Sequence, residues 1–344
     1  MTETLDPIKD NNRRGYVTGI FLAILAAALY ALNAPLSKLL LEYLPPTLTA
    51  GFLYIGAGAG MGVVALIRKA RGTVNTESKL TKAELPYTVA MVVLDIAAPI
   101  LLMFGLKSTS AASASLLNNF EIVATALVAL VIFKERISGR LWLGILSVTA
   151  ACLLLSFEDF AGGVRFSYGA LFVILACVCW GFENNCTRKI SSKDPMQIVL
   201  IKGVFSGGAS IIIGFCIGER ITLSWSVFAV LAVGFVAYGL SIFFYVHAQR
   251  KLGAARTGAY YAIAPFIGTA LSFAIFPSLP HYTFFISLAV MLLGAWLCSS
   301  DTPLSVAFNN FMVKLKKKNA PAAADKEENK EEIEDDTQEK PRSD

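Results

Sequence analysis

Long apolar runs separated by short polar connections dominate the sequence between residues 15 and 300. A helix needs about 20 mostly apolar residues to cross a bilayer. We therefore predict ten spans, at Gly15–Leu39, Pro46–Ile67, Leu85–Leu106, Ser108–Phe133, Leu141–Ser156, Ser167–Thr187, Pro195–Ile217, Trp225–Ala248, Ala254–Phe276 and Tyr282–Ser300. The pattern is typical of an all-α membrane protein with ten transmembrane helices.

The composition excludes an ordinary soluble protein. Of the 344 residues 55% are apolar and only 16% are charged, against about 25% charged in a soluble domain. The net charge of +5 is spread in small clusters between apolar runs, which does not indicate nucleic-acid binding. The spacing of the six cysteines and two histidines gives no metal motif, so we expect neither a metal nor a cofactor.

The polar ends and the basic residues predict the orientation. Residues 1–14 and 301–344 are predicted to be a cytoplasmic N-terminus and a disordered cytoplasmic tail, because the tail is highly charged and has few large apolar residues. Twenty-one Lys and Arg residues lie in the N-terminus, in alternate connections and in the tail, whereas the other connections hold only Lys38, Lys107, Arg165 and Arg220. Since Lys and Arg accumulate in cytoplasmic connections, both termini are predicted to be cytoplasmic.

A weak internal repeat suggests how the spans are organised. At an offset of 144 residues, Lys107–Leu127 resembles Lys251–Leu271, and both segments contain a Thr-Ala-Leu triplet. Each segment forms the fourth span of a five-span unit, and a unit with an odd number of spans is followed by an inverted copy. We therefore predict two inverted five-helix repeats, at residues 15–156 and 157–300. Secondary transporters commonly use this design, with a binding site between the repeats.

The two segments resemble the repeat of the EamA-type family within the drug/metabolite transporter superfamily. The first copy has small residues at 111–114, then Glu121, then a charged segment at 134–138, and the second has small residues at 253–255 and a centre at Ala264-Pro265-Phe266. Two positions depart from the family pattern: Ile122 replaces a frequent proline, and Phe276-Pro277-Ser278 replaces the closing glutamate of the second copy. The resemblance implies ten helices, a central cavity and the movement, commonly outward, of small metabolites. It also favours the plasma or inner membrane of a prokaryotic cell.

Four ionisable residues lie inside predicted spans: Asp95, Glu121, Glu183 and Lys202. Each charge at mid-bilayer costs about 2.5–3.5 kcal/mol on insertion scales. Depth along the helices divides them into two pairs. We predict that Asp95 and Glu121, near the midplane, bind substrate or couple transport to a proton, and that Glu183 and Lys202, nearer the cytoplasm, form an ion pair or gate. A purely structural internal pair is the alternative interpretation.

Small and polar residues form stripes along three predicted spans. The stripes are Ala111, Ala114, Asn118, Glu121 and Thr125; Tyr261, Pro265, Gly268 and Ser272; and Tyr30, Asn33 and Ser37. Residues three or four apart share one helix face, so we predict that these stripes line one cavity. For any single polar residue, a hydrogen bond between helices is the simpler interpretation.

The second span contains Gly56, Gly58, Gly60 and Gly62, which allow close contact between helices. The contact could lie within the fold or between subunits, so a homodimer through this helix is one hypothesis.

The leading functional prediction is a secondary transporter, an exporter or exchanger of small polar or amphipathic metabolites such as amino-acid-like solutes. Its partners would be the lipid bilayer, the small-molecule substrate and, as a candidate coupling ion, a proton. We do not expect an enzyme. The alternatives are a membrane-embedded lipid-linked transferase, which would need clustered catalytic groups, and a membrane sensor that signals through its tail.

Overall fold

The computed structural model describes residues 7–72, 77–132, 134, 137–160, 163–221, 224–252, 257, 260–277 and 280–299. The predicted tail, 301–344, lies outside these residues. The helices are α1 (Pro7–Ala31), α2 (Asn33–Leu40), α3 (Pro46–Ala70), α4 (Leu85–Ser108), α5 (Ala111–Leu117), α6 (Phe120–Val131), α7 (Gly139–Ser156), α8 (Tyr168–Ile190), α9 (Pro195–Ile201), α10 (Gly207–Cys216), α11 (Trp225–Gly234), α12 (Ser241–Leu252), α13 (Ala264–Ile275) and α14 (Tyr282–Ser299). Short π-helical segments join α9 to α10 (Lys202–Ser206) and α11 to α12 (Phe235–Leu240).

The protein is a helical membrane protein. In the described part of the chain, eight helical stretches are long and apolar enough to cross a membrane, and two shorter apolar helices, Ala264–Ile275 and Tyr282–Cys298, occupy the positions of the last two predicted spans. Large apolar side chains such as Phe21, Leu66 and Ile212 are exposed on the outside of the bundle, as expected where lipid replaces water.

The first helix begins at Pro7, and its candidate membrane span begins at Gly15, as predicted. One detail of the predicted fold needs correction. The chain is not purely helical, because strands β1 (Phe157–Phe160) and β2 (Gly163–Phe166) form an antiparallel hairpin between α7 and α8. This hairpin lies where the first predicted repeat ends, in a segment with too few apolar residues to continue either helix.

Three spans are interrupted near their middle, and the sequence explains each interruption. The break at Leu32 between α1 and α2 is followed by Pro35, which has no N–H to donate to the carbonyl four residues earlier. Pro265 has the same effect at the start of α13. Between α5 and α6, the Asn119 side chain donates to the carbonyl oxygen of Leu116 at 3.0 Å and competes with the helical hydrogen bonds.

The glycines of α3 allow close packing against other helices of the same chain. A Cβ added at Gly56 would lie 2.1 Å from the carbonyl oxygen of Leu231, and one added at Gly58 would lie 2.9 Å from the Cα of Gly203. At Gly60 the added atom would meet the ring of Phe235 at 2.0 Å. These three glycines therefore pack within the fold, against α11 and the two π-helical segments.

Adding one methyl group to this contact should destabilise the fold. We expect Gly56→Ala to lower the free energy of unfolding by about 1–3 kcal/mol, the usual cost of overpacking. Gly208→Ala is the matched control, since a Cβ there meets no atom within 4 Å. Thermal unfolding of both variants in detergent measures the difference, and equal unfolding temperatures would contradict the tight α3 contact.

Candidate functional site

Three buried charged side chains from three different helical segments form an ion cluster. The Lys202 ammonium lies 2.6 Å from Glu183 Oε1 and 3.0 Å from Asp95 Oδ2. Asp95, Glu183 and Lys202 are only 1%, 4% and 6% exposed. The cluster therefore joins α4, α8 and the π-helical turn after α9 at a point shielded from solvent, where removal of one partner would leave a charge uncompensated.

Hydrogen bonds complete the carboxylate shell of this cluster. The Tyr54 hydroxyl donates to Asp95 Oδ1 at 2.8 Å, and the Thr187 hydroxyl donates to Glu183 Oε1. Two carboxylates and one ammonium carry a formal charge of −1.

Tyrosine rings extend from the ion cluster towards the broken first span. The Tyr54 and Tyr238 rings are 5.2 Å apart, Tyr238 and Tyr30 are 5.9 Å apart, and Tyr30 and Tyr261 are also 5.9 Å apart. Asn33 donates to the Tyr238 hydroxyl at 2.9 Å. These rings form a continuous amphipathic surface with their hydroxyl groups inside the bundle.

Glu121 lies beside the interruption between α5 and α6 and is held by a different partner. Asn184 Nδ2 donates to Glu121 Oε1 at 2.7 Å and to Thr125 Oγ1 at 3.2 Å. The neighbouring Asn185 donates to the carbonyl oxygen of Thr125 at 3.1 Å. All three bonds connect α6 to α8, which also carries Glu183.

A small inner cavity brings four of the predicted site residues together. Tyr30, Asn33, Asn118 and Pro265 line it, with Ala31, Ala34, Ser115, Ala264 and Gly268. Its volume is about 10 Å³, room for about one water molecule. The three interrupted helical spans thus meet at this cavity.

A larger outer vestibule of about 590 Å³ lies one helical turn away along two of the same helices. On α5, Ala111 lines the vestibule and Ser115 lines the inner cavity. On α13, Ser272 lines the vestibule and Gly268 lines the inner cavity. A Cβ added at Gly268 would lie 3.0 Å from Ser115 Oγ. Small residues of α5 and α13 therefore pack closely at the inner cavity, one helical turn from the vestibule.

The structure revises the predicted grouping by depth. The predicted Glu183–Lys202 ion pair is present, and Asp95 belongs to the same cluster. The reason is the reach of lysine, whose ammonium lies about 6 Å from its Cα on a flexible stem, so backbone depth alone does not locate the charge. Tyr261 lies against Tyr30 and 3.4 Å from the Ser241 hydroxyl.

Tyr54, Tyr238 and Asn184 were not among the predicted site residues. Each is a polar side chain in the middle part of an apolar span, and a buried tyrosine hydroxyl needs a hydrogen-bond partner. This need could have indicated Tyr54 and Tyr238 as site residues from the sequence. Nothing in the local sequence identifies Asp95 as the partner of Tyr54, because 41 residues separate them.

The long apolar helices, with an ion cluster and a small cavity between them, define a helical membrane protein. The chain belongs to the EamA-like transporter family, whose sequence profile matches residues 17–157 and again 167–300.

Individual relatives agree with this assignment. A protein of Methanothermobacter thermautotrophicus described as an uncharacterized transporter is 26% identical over 270 residues, 75% of this chain and 79% of its own length. The uncharacterized transporter YyaM of Bacillus subtilis is 22% identical over 248 residues, 70% of this chain and 80% of its own length. A crystal structure at 19% identity matches with a TM-score of 0.58 over 83% of this chain and 95% of its own, and shows the fold alone. The protein is thus a membrane transporter by family.

Neutralising all members of the ion cluster should be tolerated better than removing one charge. We expect Lys202→Met alone to lower the free energy of unfolding by about 3–5 kcal/mol, because it leaves two carboxylates buried without their cation. The triple variant Asp95→Asn, Glu183→Gln, Lys202→Met should recover most of that loss. Unfolding in detergent compares the two, and a triple variant less stable than the single variant would contradict the assignment of these charges to one cluster.

Proposed function

We propose that the protein is a secondary transporter that exports or exchanges small polar or amphipathic metabolites, such as amino-acid-like solutes, by alternating access. The observation that carries the proposal is the inner cavity, which is small, lies between broken helical spans and is close to buried carboxyl groups. Broken helices beside a mid-membrane site are a recurring feature of transporters, because freed backbone groups can bind substrate.

We further propose that the ten helical stretches form two inverted five-helix repeats. The interruptions at residues 118–119 and 262–263 support it, since they are separated by the same 144 residues as the sequence repeat. Packing supports it too. The stretches can be numbered from one to ten along the chain, and the two repeats exchanged so that each stretch takes the place of the one five positions away. The pair α4–α8, in stretches three and six, then becomes the pair α12–α1, in stretches eight and one. Both pairs are in contact. The contacts α3–α10, α5–α13 and α7–α14 each map onto themselves. Two matches to one family profile agree with this arrangement.

Within this proposal, transport would begin when the contact between α5 and α13 opens. Ser115 and Gly268 pack closely at the inner cavity, one helical turn from the vestibule, so a small relative movement of two helices would join the spaces. The reciprocal movement on the other side would require α8 and the π-helical turn of Lys202 to shift. Since the Lys202 cluster holds these elements to α4, its rearrangement is the proposed gate.

Asp95 and Glu121 are the proposed substrate-binding or proton-coupling groups, with Asn118, Tyr30, Asn33, Tyr261 and Pro265 shaping the site. A solute ammonium could replace a proton at either carboxyl, which would couple substrate movement to proton movement. We place the protein in the plasma or inner membrane of a prokaryotic cell with both termini cytoplasmic. Bacterial and archaeal relatives support the cell type.

The role of Glu121 can be tested by transport. Glu121→Gln keeps the carbonyl oxygen that accepts from Asn184, so the protein should fold. We expect the variant to lose substrate flux or the pH dependence of flux in sealed vesicles, with substrates chosen by metabolite profiling of cells with and without the protein. Glu77→Gln, in the connection between α3 and α4, is the control. Unchanged pH-dependent flux in Glu121→Gln and also in Asp95→Asn would remove both residues from the mechanism.

The proposed orientation has its own test. A reporter enzyme that works only in the cytoplasm should be active when fused after Asp344, because Lys and Arg are strongly biased towards one side of the predicted spans. The same reporter placed within the connection between α2 and α3 should be inactive. An inactive Asp344 fusion would contradict the inverted-repeat proposal.

A further inference from the structure

The lining of the vestibule has two chemically different parts. The end of α4 and the start of α5 contribute hydroxyl and charged side chains, including Lys107, Thr109, Ser110 and Ser113. Four aromatic rings come from other parts of the chain: Phe157, Phe273, Phe276 and Phe284. A volume of about 590 Å³ is within the range of small-molecule binding sites. The cavity therefore matches a ligand with one polar end and one apolar body.

The charged side chains of the lining are basic. Lys38 and Lys107 line the vestibule, and its described lining contains no Asp or Glu. The Lys38 ammonium donates to the carbonyl oxygens of Leu106, Lys107 and Thr109. These neutral carbonyl groups fix its position at the end of α4, and Glu42 is the acidic side chain that interacts with it electrostatically. Lys107 is exposed, so its ammonium can approach a ligand.

Lys38 and Lys107 are two of the four basic residues on the predicted non-cytoplasmic side, and both line this cavity. The positive-inside rule does not explain them, because it places Lys and Arg on the cytoplasmic side. The Lys202 cluster, by contrast, carries excess negative charge. The vestibule and the interior therefore favour opposite charges.

We propose that the vestibule is a separate binding site for an amphipathic anion, a molecule with an apolar body and one carboxylate or a similar single anionic group. Lys107 contacts the anionic group, Lys38 adds a fixed positive potential, and the phenylalanine rings cover the apolar body. The site goes beyond the proposed transport function, because Glu121 does not line it and binding there needs no movement of substrate across the membrane.

Three indole compounds of similar size test the charge preference on the full chain in lipid nanodiscs. The probes are indole-3-propionate, its neutral amide indole-3-propionamide, and the cation tryptamine, titrated calorimetrically with empty nanodiscs subtracted. We expect the anion to bind most tightly and the cation most weakly, and added salt to weaken binding of the anion. Equal affinity for the anion and the amide, or no binding of the anion, would overturn the proposal.

Matched variants locate the site. Lys107→Gln should weaken binding of indole-3-propionate about fivefold, which corresponds to about 1 kcal/mol, whereas Lys79→Gln, at an exposed lysine before α4, should leave it unchanged. Phe276→Ala should weaken binding about tenfold by removing part of the apolar lining. Phe215→Ala, at an exposed ring outside the vestibule, is its control. Size-exclusion profiles confirm that each variant is folded.

Equal effects of Lys107→Gln and Lys79→Gln, or full binding in the double variant Lys107→Gln, Phe276→Ala, would place the ligand elsewhere and overturn the proposal. The two proposals of function fail separately. Anion binding without flux of any metabolite would count against transport alone, and flux without anion binding would count against the vestibule site alone.

Discussion

A buried ammonium group must be neutralised where it lies, and Lys202 meets this requirement with two carboxylates from different helices. The low-dielectric surroundings make each of these contacts costly to break and each unpaired charge costly to keep. The cluster therefore fixes α4 and α8 relative to the turn that carries Lys202. Any conformational change that moves one of these elements must exchange an ion pair for another partner.

The turn that carries Lys202 is itself irregular, and this is consistent with a movable contact. Lys202–Ser206 is π-helical, with α-helix on either side, and such turns often mark functional positions. Gly203 follows Lys202 directly and packs against Gly58 of α3. The absence of side chains at this crossing lets the lysine enter the interior while the backbone stays close to its neighbour.

The parts of the structure that depend on local sequence were predictable, and the parts that depend on distant partners were not. The apolar stretches from 15 to 300 each indicate a helix by themselves. The grouping of Asp95 with Lys202 depends on packing between segments 107 residues apart and on the length of one side chain. The glycines of α3 indicated close helix contact, but their spacing contains nothing that distinguishes a helix of the same chain from one of a second copy.

The interruptions show how similar halves can carry different chemistry. At the 144-residue offset Glu121 corresponds to Pro265, so one half has an acidic group where the other has a residue that frees a backbone carbonyl. In the proposed inverted arrangement, matched breaks would give the inward- and outward-facing states similar backbone packing and hence similar energy. The unmatched side chains, Glu121 in one half and Pro265 in the other, would instead make the two sides of the cavity chemically different. A site built in this way can bind a solute in one orientation while the surrounding helices move between two nearly equivalent arrangements.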